Sequence, residues 1–381
     1  MSRVAKVPAR CTGNPSFQPE AIVEDQNRLE QSRLLLAEGN LYDAIRVLFG
    51  LPERDIYTYH AMTAVKLAEV QRIVSLGGAN GLHTWYRDGD GSPQEAPPQS
   101  DIEAYIAIFS PATSTVSALK NFDTNAKKGS IRAHVAHHLT STRFVHPDLA
   151  ARLTIPKCKS PPRQNPYFDF WAWSSRNLEW CGPCNSSARR VSSHHVLPVF
   201  MHHFGCVTPS HEALELLRIL ADGRDVADVG SGNGYWTFML RGYGLTVHAV
   251  DNMQSEWRVQ WNGDTVILDG ARWLQKNSGG RDMMLLLVYP VVGGGVGGGT
   301  EGGFTRGLVD AFRGDTIAVV GTQNDNGYTA FKGMTMDEYM AREKEEWTKV
   351  VQIPLPSFAG KDEALFVFQR GERASALQPS G

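Results

Sequence analysis

Along the first half of the chain, apolar positions recur at helical spacing. Leu29, Leu34, Leu35 and Leu36 form a stripe that starts near Glu24 and stops at Gly39-Asn40. Leu41 to Phe49 reads as a second short helix. A third is expected from about Asp55, with Ile56, Ala61, Val65, Leu67, Val70 and Ile73 apolar and Gly77-Gly78 as its stop. Arg87 to Ser100 is polar and rich in Gly and Pro, hence a loop. Asp101 is placed to cap a helix over Ile102 to Phe109, and Thr113 to Lys120 continues the pattern. Ser130 to Leu153 is mixed in character. A basic, proline-rich stretch, Ile155 to Pro166, then leads into an aromatic cluster of Tyr167, Phe168, Phe170, Trp171, Trp173 and Trp180.

The period changes in the second half. Short β-type runs occur at Val226–Val229, Thr246–Val250, Thr265–Leu268, Met283–Val288, Thr316–Val320, Val350–Ile353 and Leu365–Gln369, and helical patterns separate the early ones. Such alternation predicts a mostly parallel sheet with helices on both faces. The last pair is joined by a turn around Pro356 to Asp362 and is expected to pair antiparallel. The expected organisation is a disordered tail over 1–19, a mainly helical region with an aromatic and Cys-rich connector over 20–196, the sheet domain over 197–370 and a second disordered tail over 371–381.

Candidate chemistry concentrates after the first of these strands. Asp225-Val-Ala-Asp-Val-Gly-Ser-Gly-Asn-Gly234 runs from an apolar strand through Gly230, Gly232 and Gly234 into the amphipathic run Tyr235 to Leu240. Glycines let the backbone turn tightly and let a ligand approach the strand end. The helix behind them offers free amide N–H groups. The next strand ends at Asp251-Asn252, where a carboxylate can accept both hydroxyls of a ribose. Asp228 stands two residues before the first glycine, an unusual place for an acid in dinucleotide-binding strands. Asp269-Gly270 ends a third strand, where an adenine amine would be met. Taken singly, each acid is as readily a cap or turn residue; the ordered set argues for a nucleotide-type ligand. The candidate cofactor residues are therefore Asp228, Gly230, Ser231, Gly232, Asn233, Gly234, Asp251, Asn252, Asp269 and Gly270.

On these motifs the chain resembles the class I S-adenosylmethionine-dependent methyltransferases. It is similar, more narrowly, to a poorly characterised methyltransferase-like family. The matching segments are Pro209-Ser-His-Glu-Ala213, Gly232-Asn-Gly-Tyr-Trp236, Leu285-Leu-Leu-Val-Tyr-Pro290 and Phe312-Arg-Gly-Asp-Thr-Ile-Ala-Val-Val-Gly321. The resemblance spans roughly Leu197 to Arg370 and implies a Rossmann-like α/β fold: a seven-stranded, mostly parallel sheet with an antiparallel last strand, here with a mainly helical N-terminal extension. It implies S-adenosylmethionine as cofactor, with an acid at Asp228 holding the methionine part. In the family an aromatic residue and two prolines end the fourth strand. Here the segment is Tyr289-Pro290-Val291-Val292, so Tyr289 is the candidate acceptor-site residue and the acceptor class stays open. Asn324, Asp325, Tyr328 and Trp236 are further residues expected at the sheet mouth; Trp257, Trp261 and Trp273 flank the second and third strands, where one ring can cover an adenine but each reads more readily as a packing residue. The glycine-rich run Gly293 to Gly303 lacks the Lys and Ser/Thr of a phosphate-binding P-loop and reads as a low-complexity insertion.

Composition narrows the partners. The 381 residues carry 38 basic and 40 acidic side chains, a net charge of -2, which argues against a general nucleic-acid binder. No apolar run reaches the length of a membrane span. Arg3, Lys6 and Arg10, with no acid before Glu20, fit a disordered tail better than a transit peptide. The 5 cysteines are too sparse and odd for a disulfide framework, so the expected location is the cytoplasm, with the nucleus left open.

Trp180-Cys181-Gly-Pro-Cys184 matches the thioredoxin redox motif, but the polar run from Asn185 is not the long helix that thioredoxins need there. Cys181 and Cys184 with His195 and His202 have the residue types for structural zinc, a weaker reading than no metal at all. Two functional readings stand: methyl transfer to an unidentified small-molecule or protein acceptor, or a non-catalytic relative whose helical N-terminal region binds a protein partner. The intact glycine loop and Asp251 favour the enzyme.

Overall fold

The computed structural model describes residues 17–61, 63–76, 90, 92, 95–184, 195–253, 258–290, 301–324, 331 and 333–377. The N-terminal region opens with helices α1 (Pro19–Glu24), α2 (Gln26–Ala37) and α3 (Leu41–Phe49). In α3 the inward positions Leu41, Ala44, Ile45, Leu48 and Phe49 are buried, and Gly50, at φ 61°, stops the helix in the left-handed conformation.

The helix expected from Asp55 is a correction. Strand β1 (Thr58–His60) instead pairs antiparallel with β2 (Ala64–Lys66), and helix α4 (Leu67–Leu76) begins only afterwards. The cause is local. The Asp55 carboxylate accepts from the Tyr57 amide at 3.1 Å and from the Tyr59 hydroxyl at 2.6 Å. That holds the chain extended, and Tyr57 and Tyr59 alternate into the core with period two.

Helices α5 (Gln99–Phe109), α6 (Thr115–Thr124) and α7 (Ile131–Thr142) follow. Because α5 starts at Gln99, Asp101 lies within its first turn rather than capping it, and its carboxylate accepts from Arg132 at 2.9 Å. After the short strand β3 (Phe144–Val145), the aromatic cluster forms α8 (Pro166–Asn177), whose cap is Asn165. Helix α9 (Leu197–His203) completes the region.

The second half alternates as expected: α10 (His211–Ala221), β4 (Asp225–Val229), α11 (Tyr235–Gly242), β5 (Val247–Asp251), β6 (Val266–Ile267), α12 (Gly270–Lys276), β7 (Met283–Val288), α13 (Gly303–Ala311), β8 (Thr316–Thr322), α14 (Met336–Glu343), β9 (Thr348–Pro354), β10 (Glu363–Gln369) and the terminal turn α15 (Glu372–Ser375). The sheet order is β3-β9-β10-β8-β7-β4-β5-β6. Strands β4 to β8 pair parallel, and β10 runs antiparallel between β8 and β9. The sheet has eight strands where seven were expected, because β3, from the N-terminal region, pairs with β9 at the far edge. Two residues in a mixed stretch carry too little periodicity to be seen beforehand.

The pleat divides the sheet into two faces. Val226, Leu286, Val320, Leu365 and Val367 belong to one apolar core with helices of the N-terminal region; Ala227, Leu285, Val319, Phe366 and Phe368 belong to a second with α12, α13 and α14. Two cross-ties fix the first layer. Arg143 makes a bidentate pair with Glu212 at 3.1 and 2.6 Å, and the Trp171 indole N–H donates to Ser357 O at 3.1 Å. The segments read as tails are also tied: Phe17 stacks on Phe49, and Arg373 of α15 pairs with Asp315 and Asp222. Residues 1–16 and 378–381 lie outside the described residues.

Trp171 is fully buried and joins α8 to the β9–β10 connection. Trp171→Ala should cost about 3–5 kcal/mol in denaturant unfolding, with Trp171→Phe recovering much of the packing but not the hydrogen bond.

Candidate functional site

The chain leaves β4 at the carboxyl edge of the sheet and turns through a loop of left-handed glycines. Gly230, Gly232 and Gly234 have φ of 78°, 59° and 78°. The amides of Gly230 and Ser231 both donate to Val250 O, at 2.8 and 3.1 Å, which pins the loop to β5. A methyl at Gly230 would meet the Phe304 ring at 3.0 Å, and one at Gly234 would meet the Asn262 amide at 2.0 Å. At Gly232 it would meet nothing within 4 Å. Gly232 is thus the open position of the loop, where a ligand can approach the backbone.

Asp251 braces this opening. Its carboxylate accepts from the Gly232 amide at 2.9 Å and from the Met253 amide at 2.6 Å. Asn252 beside it is exposed. Asp228 lies one strand inward and is fully buried; one oxygen accepts from the Thr237 hydroxyl at 2.6 Å and the other has no partner. Burial pushes its carboxyl up to about 7, the Thr237 hydrogen bond opposes the shift and the Asp251 charge adds to it. The Ser231 hydroxyl and the Asn233 amide nitrogen are likewise buried without partners. These unpartnered polar atoms, with the open face of Gly232, fit a polar ligand at the end of β4.

The third strand end has a local task. Asp269 caps α12, accepting from the Arg272 amide at 3.0 Å, and Gly270 is a packing glycine, since a methyl there would lie 2.3 Å from Val229. Trp236 and Trp261 are core residues whose indole N–H groups donate to Val207 O and His203 O. Trp273 is buried against the second core. Trp257, Asp325, Tyr328, Val291, Val292 and the glycine run through Thr300 lie outside the described residues.

Tyr289 directly follows β7, next to β4, and is half-buried at φ 54°, a conformation that side-chain-bearing residues rarely adopt. Its amide donates to Val320 O at 2.7 Å, and the Lys361 ammonium lies 4.9 Å from its ring centroid. Asn324 follows β8 on the same edge. The aromatic helix α8 reaches this region too: Tyr167 donates its amide to the Tyr235 hydroxyl at 3.2 Å, directly behind the glycine loop.

Comparison with known proteins gives distant likenesses only. No protein-family model matches the chain, and no curated protein matches it. Among solved structures, it is similar to magnesium protoporphyrin IX methyltransferase from Synechocystis, solved with bound SAM, at 13% identity over 42% of this chain and 76% of that one, with a TM-score of 0.30. A SAM-dependent methyltransferase from Anabaena variabilis matches at 12% identity over 39% of this chain and 77% of that one, TM-score 0.29. The 1,6-didemethyltoxoflavin-N1-methyltransferase of Burkholderia thailandensis, with S-adenosylhomocysteine, matches at 16% identity over 42% and 76%, TM-score 0.28. The fold itself is read from the strand order of this chain.

The cysteine and histidine candidates do not assemble. Among the described residues no three His, Cys, Asp or Glu side chains form a metal-holding group. His202 packs between Tyr57 and Tyr59, at 4.8 and 5.0 Å, and burial lowers its pKa to about 3. Burial also pushes the Cys181 thiol up to about 12, the reverse of an attacking thiolate.

Sequence reasoning missed Glu363, Asp362 and His138. His138 of α7 meets Asp362 at 2.6 Å, and Gln323, just after β8, donates to the same carboxylate at 2.9 Å. None sits in a recognisable motif.

Two outcomes follow. Gly234→Ala should disrupt the loop, whereas Gly232→Ala should lower stability by only about 1 kcal/mol, the left-handed penalty, as read by thermal melts. Asp228 has a folded pKa above its unfolded value, so its contribution is full in acid and is lost as pH rises through about 7. Asp228→Asn should therefore leave stability at pH 3 nearly unchanged and raise it progressively between about pH 4 and pH 8, by up to roughly 4 kcal/mol.

Proposed function

We propose that this chain binds S-adenosylmethionine and transfers its methyl group to an unidentified small-molecule or protein acceptor, as a relative of the class I methyltransferases. The observation that carries the reading is the position of the glycine loop. It leaves the carboxyl end of β4, the strand from which the order runs outward to β5 and β6 on one side and to β7 and β8 on the other. That reversal opens a ligand crevice at the strand ends.

When bound, S-adenosylmethionine supplies a methyl group on a sulfonium, which a nucleophile takes by in-line displacement as the carbon–sulfur bond breaks and a neutral thioether is left. The chain's residues hold and orient. Asp251 is placed for the ribose hydroxyls, and the open backbone at Gly232 admits the ligand between them. Asp228, Ser231 and Asn233 offer their unpartnered atoms to the amino-acid end. Asn252, Asp269 and Gly270 border the adenine side. Tyr289 stands on the acceptor side, one strand away, and the N-terminal layer excludes water so that alignment is kept. The second reading, a cofactor-binding interaction protein without catalysis, draws on the Tyr289-Pro290-Val291-Val292 departure. Among the described residues no helix is long and apolar enough to cross a membrane.

Calorimetric titration with S-adenosylmethionine and S-adenosylhomocysteine tests this. The wild type should bind with micromolar affinity. Asp251→Ala should weaken binding at least tenfold, and Gly232→Val should abolish it by filling the open position while the protein stays folded. A folded wild type that binds neither ligand at millimolar concentration overturns the reading.

A further inference from the structure

The strands that meet at the mouth of the sheet differ in length. Asp228 of β4 aligns with Leu286 of β7, and Leu286 with Ala318 of β8. β4 leaves for the glycine loop after Val229 and β7 ends at Val288, but β8 continues to Thr322. The Gln323 amide beyond it donates to Asp362 O at 2.8 Å. Gln323 therefore stands about 10 Å further out than Val320, the β8 partner of Val288. β8 and the approach to β10 raise a wall beside the crevice. From the top of that wall the Lys361 ammonium reaches the Tyr289 ring, 4.9 Å from its centroid, so the wall adjoins the acceptor side.

On this wall a buried acid holds one imidazole. One oxygen of Asp362 accepts from Gln323 at 2.9 Å, and the other meets His138 Nε2, from α7, at 2.6 Å. Gln323 in turn accepts from Gln352 at 2.9 Å, and Gln352 accepts from Lys349 at 2.9 Å, whose ammonium also pairs with Asp337. This relay sets the direction of the carboxylate and leaves the imidazole a single partner. Opposite an accepting carboxylate, Nε2 carries the ring proton and Nδ1 the lone pair. Nδ1 makes no hydrogen bond among the described residues, and 12% of the His138 side chain is exposed against 3% for Asp362. The ring can thus be reached from outside, while the acid that orients it cannot. Burial lowers the His138 pKa, but the Asp362 hydrogen bond and charge raise it by more. The other polar groups at this place, Thr142 of the same helix and Gln323, are neutral.

An imidazole oriented by a carboxylate, with its lone pair open, is a proton acceptor that works near neutral pH. A neutral amine attacks a sulfonium methyl with its own lone pair before it loses a proton. A hydroxyl is a poor nucleophile until its proton is being taken, so it is the acceptor that needs such a group. Among hydroxyls, a phenol (about 10, as in tyrosine) lies close enough to imidazole for the transfer.

We propose that His138 takes the proton of the methyl acceptor and that the acceptor atom is a phenolic oxygen, with Asp362 as the positioning residue. As the oxygen–methyl bond forms, the carbon–sulfur electron pair returns to sulfur, the hydroxyl proton passes to Nδ1, and the imidazolium later releases it to water. The assignment rests on the methyl-transfer reading and adds a substrate class to it.

The test uses the full chain with S-adenosylmethionine and two probe acceptors at pH 8: 4-methylphenol, which is still protonated there, and 4-nitrophenol, which is largely ionised and needs no base. His138→Gln should slow methylation of 4-methylphenol about a hundredfold or more and that of 4-nitrophenol less than threefold, with S-adenosylhomocysteine affinity by calorimetry equal in both proteins. Equal slowing of the two phenols, or no slowing of either, overturns the assignment. The wild type alone gives a second readout. Its rate on 4-methylphenol should level off below pH 9, once the imidazole is deprotonated and while the phenol is not. A rate that still climbs tenfold per pH step beyond pH 9 overturns the assignment, whether or not the variant folds. Methylation of neither phenol by a wild type that binds S-adenosylhomocysteine overturns the assignment alone. Failure of S-adenosylhomocysteine to bind the wild type overturns the methyl-transfer reading and the assignment with it.

Discussion

The central strands β4, β7 and β8 cannot leave either face in water, because their residues are buried on both sides of the pleat. The chain after Ser210 supplies α12, α13 and α14 for one face but only α10 and α11 for the other. The remaining cover comes from the residues before it. The aromatic helix α8, the helices α2 to α7 and Leu197, Val199 and Phe200 of α9 all enter the same core as Leu286, Val320 and Leu365. The N-terminal half is therefore a packing layer of the sheet, and the edge strand β3, lent to β9, follows from that docking. Trp171 and Arg143 are the fixings of a surface whose main stabilisation is apolar burial.

That layer decides the chemistry of the face it covers. Asp228 and Glu363 occupy pleat positions that point into it, at the carboxyl edge, and both are fully buried. In water each carboxylate would be ionised near pH 4; beneath the layer each is pushed up to about 7. Neither is neutralised by a bidentate arginine, although the same layer provides one for Glu212. The contrast is informative. Glu212 has Arg143 opposite it, whereas at the mouth of the sheet Asp228 has a single hydroxyl partner, Thr237, on one oxygen.

Much of the fold was legible because the signal was periodic. The strand Met283–Val288 and the helix Leu41–Phe49 fall where the apolar pattern put them. Other boundaries moved by a residue or two, as at Val247–Asp251, where the pattern cannot separate the last strand residue from the turn. Tertiary and short-range polar contacts were not legible. The Asp55 carboxylate overrides a helical run to make the β1–β2 hairpin, and β3 exists only because β9 is there to pair with it. At the site, the glycines announce themselves through spacing, since only they tolerate the left-handed turns. Glu363 gives no such signal: it is one acid in a turn-to-strand junction until the fold buries it. Asp269 shows the converse, an acid in the right order whose visible work is to cap α12.

The end of β7 is where sequence departure and backbone geometry meet. Tyr289 precedes Pro290, and a residue before proline is pushed toward extended backbone; here it stands at φ 54°. A side-chain-bearing residue in that region costs on the order of 1–3 kcal/mol and persists only when its surroundings over-determine it. The surroundings do so: the amide is tied to Val320 O, Pro290 is buried, and Lys361 sits over the ring. Here stiffness comes from a strained tyrosine and a cation held over it by the residues that lead into Glu363. This arrangement holds the strand end where Val291 follows Pro290. It couples Tyr289 to the Lys361–Glu363 segment, so that the ring at the end of β7 and the carboxylate at the start of β10 are positioned by one set of contacts.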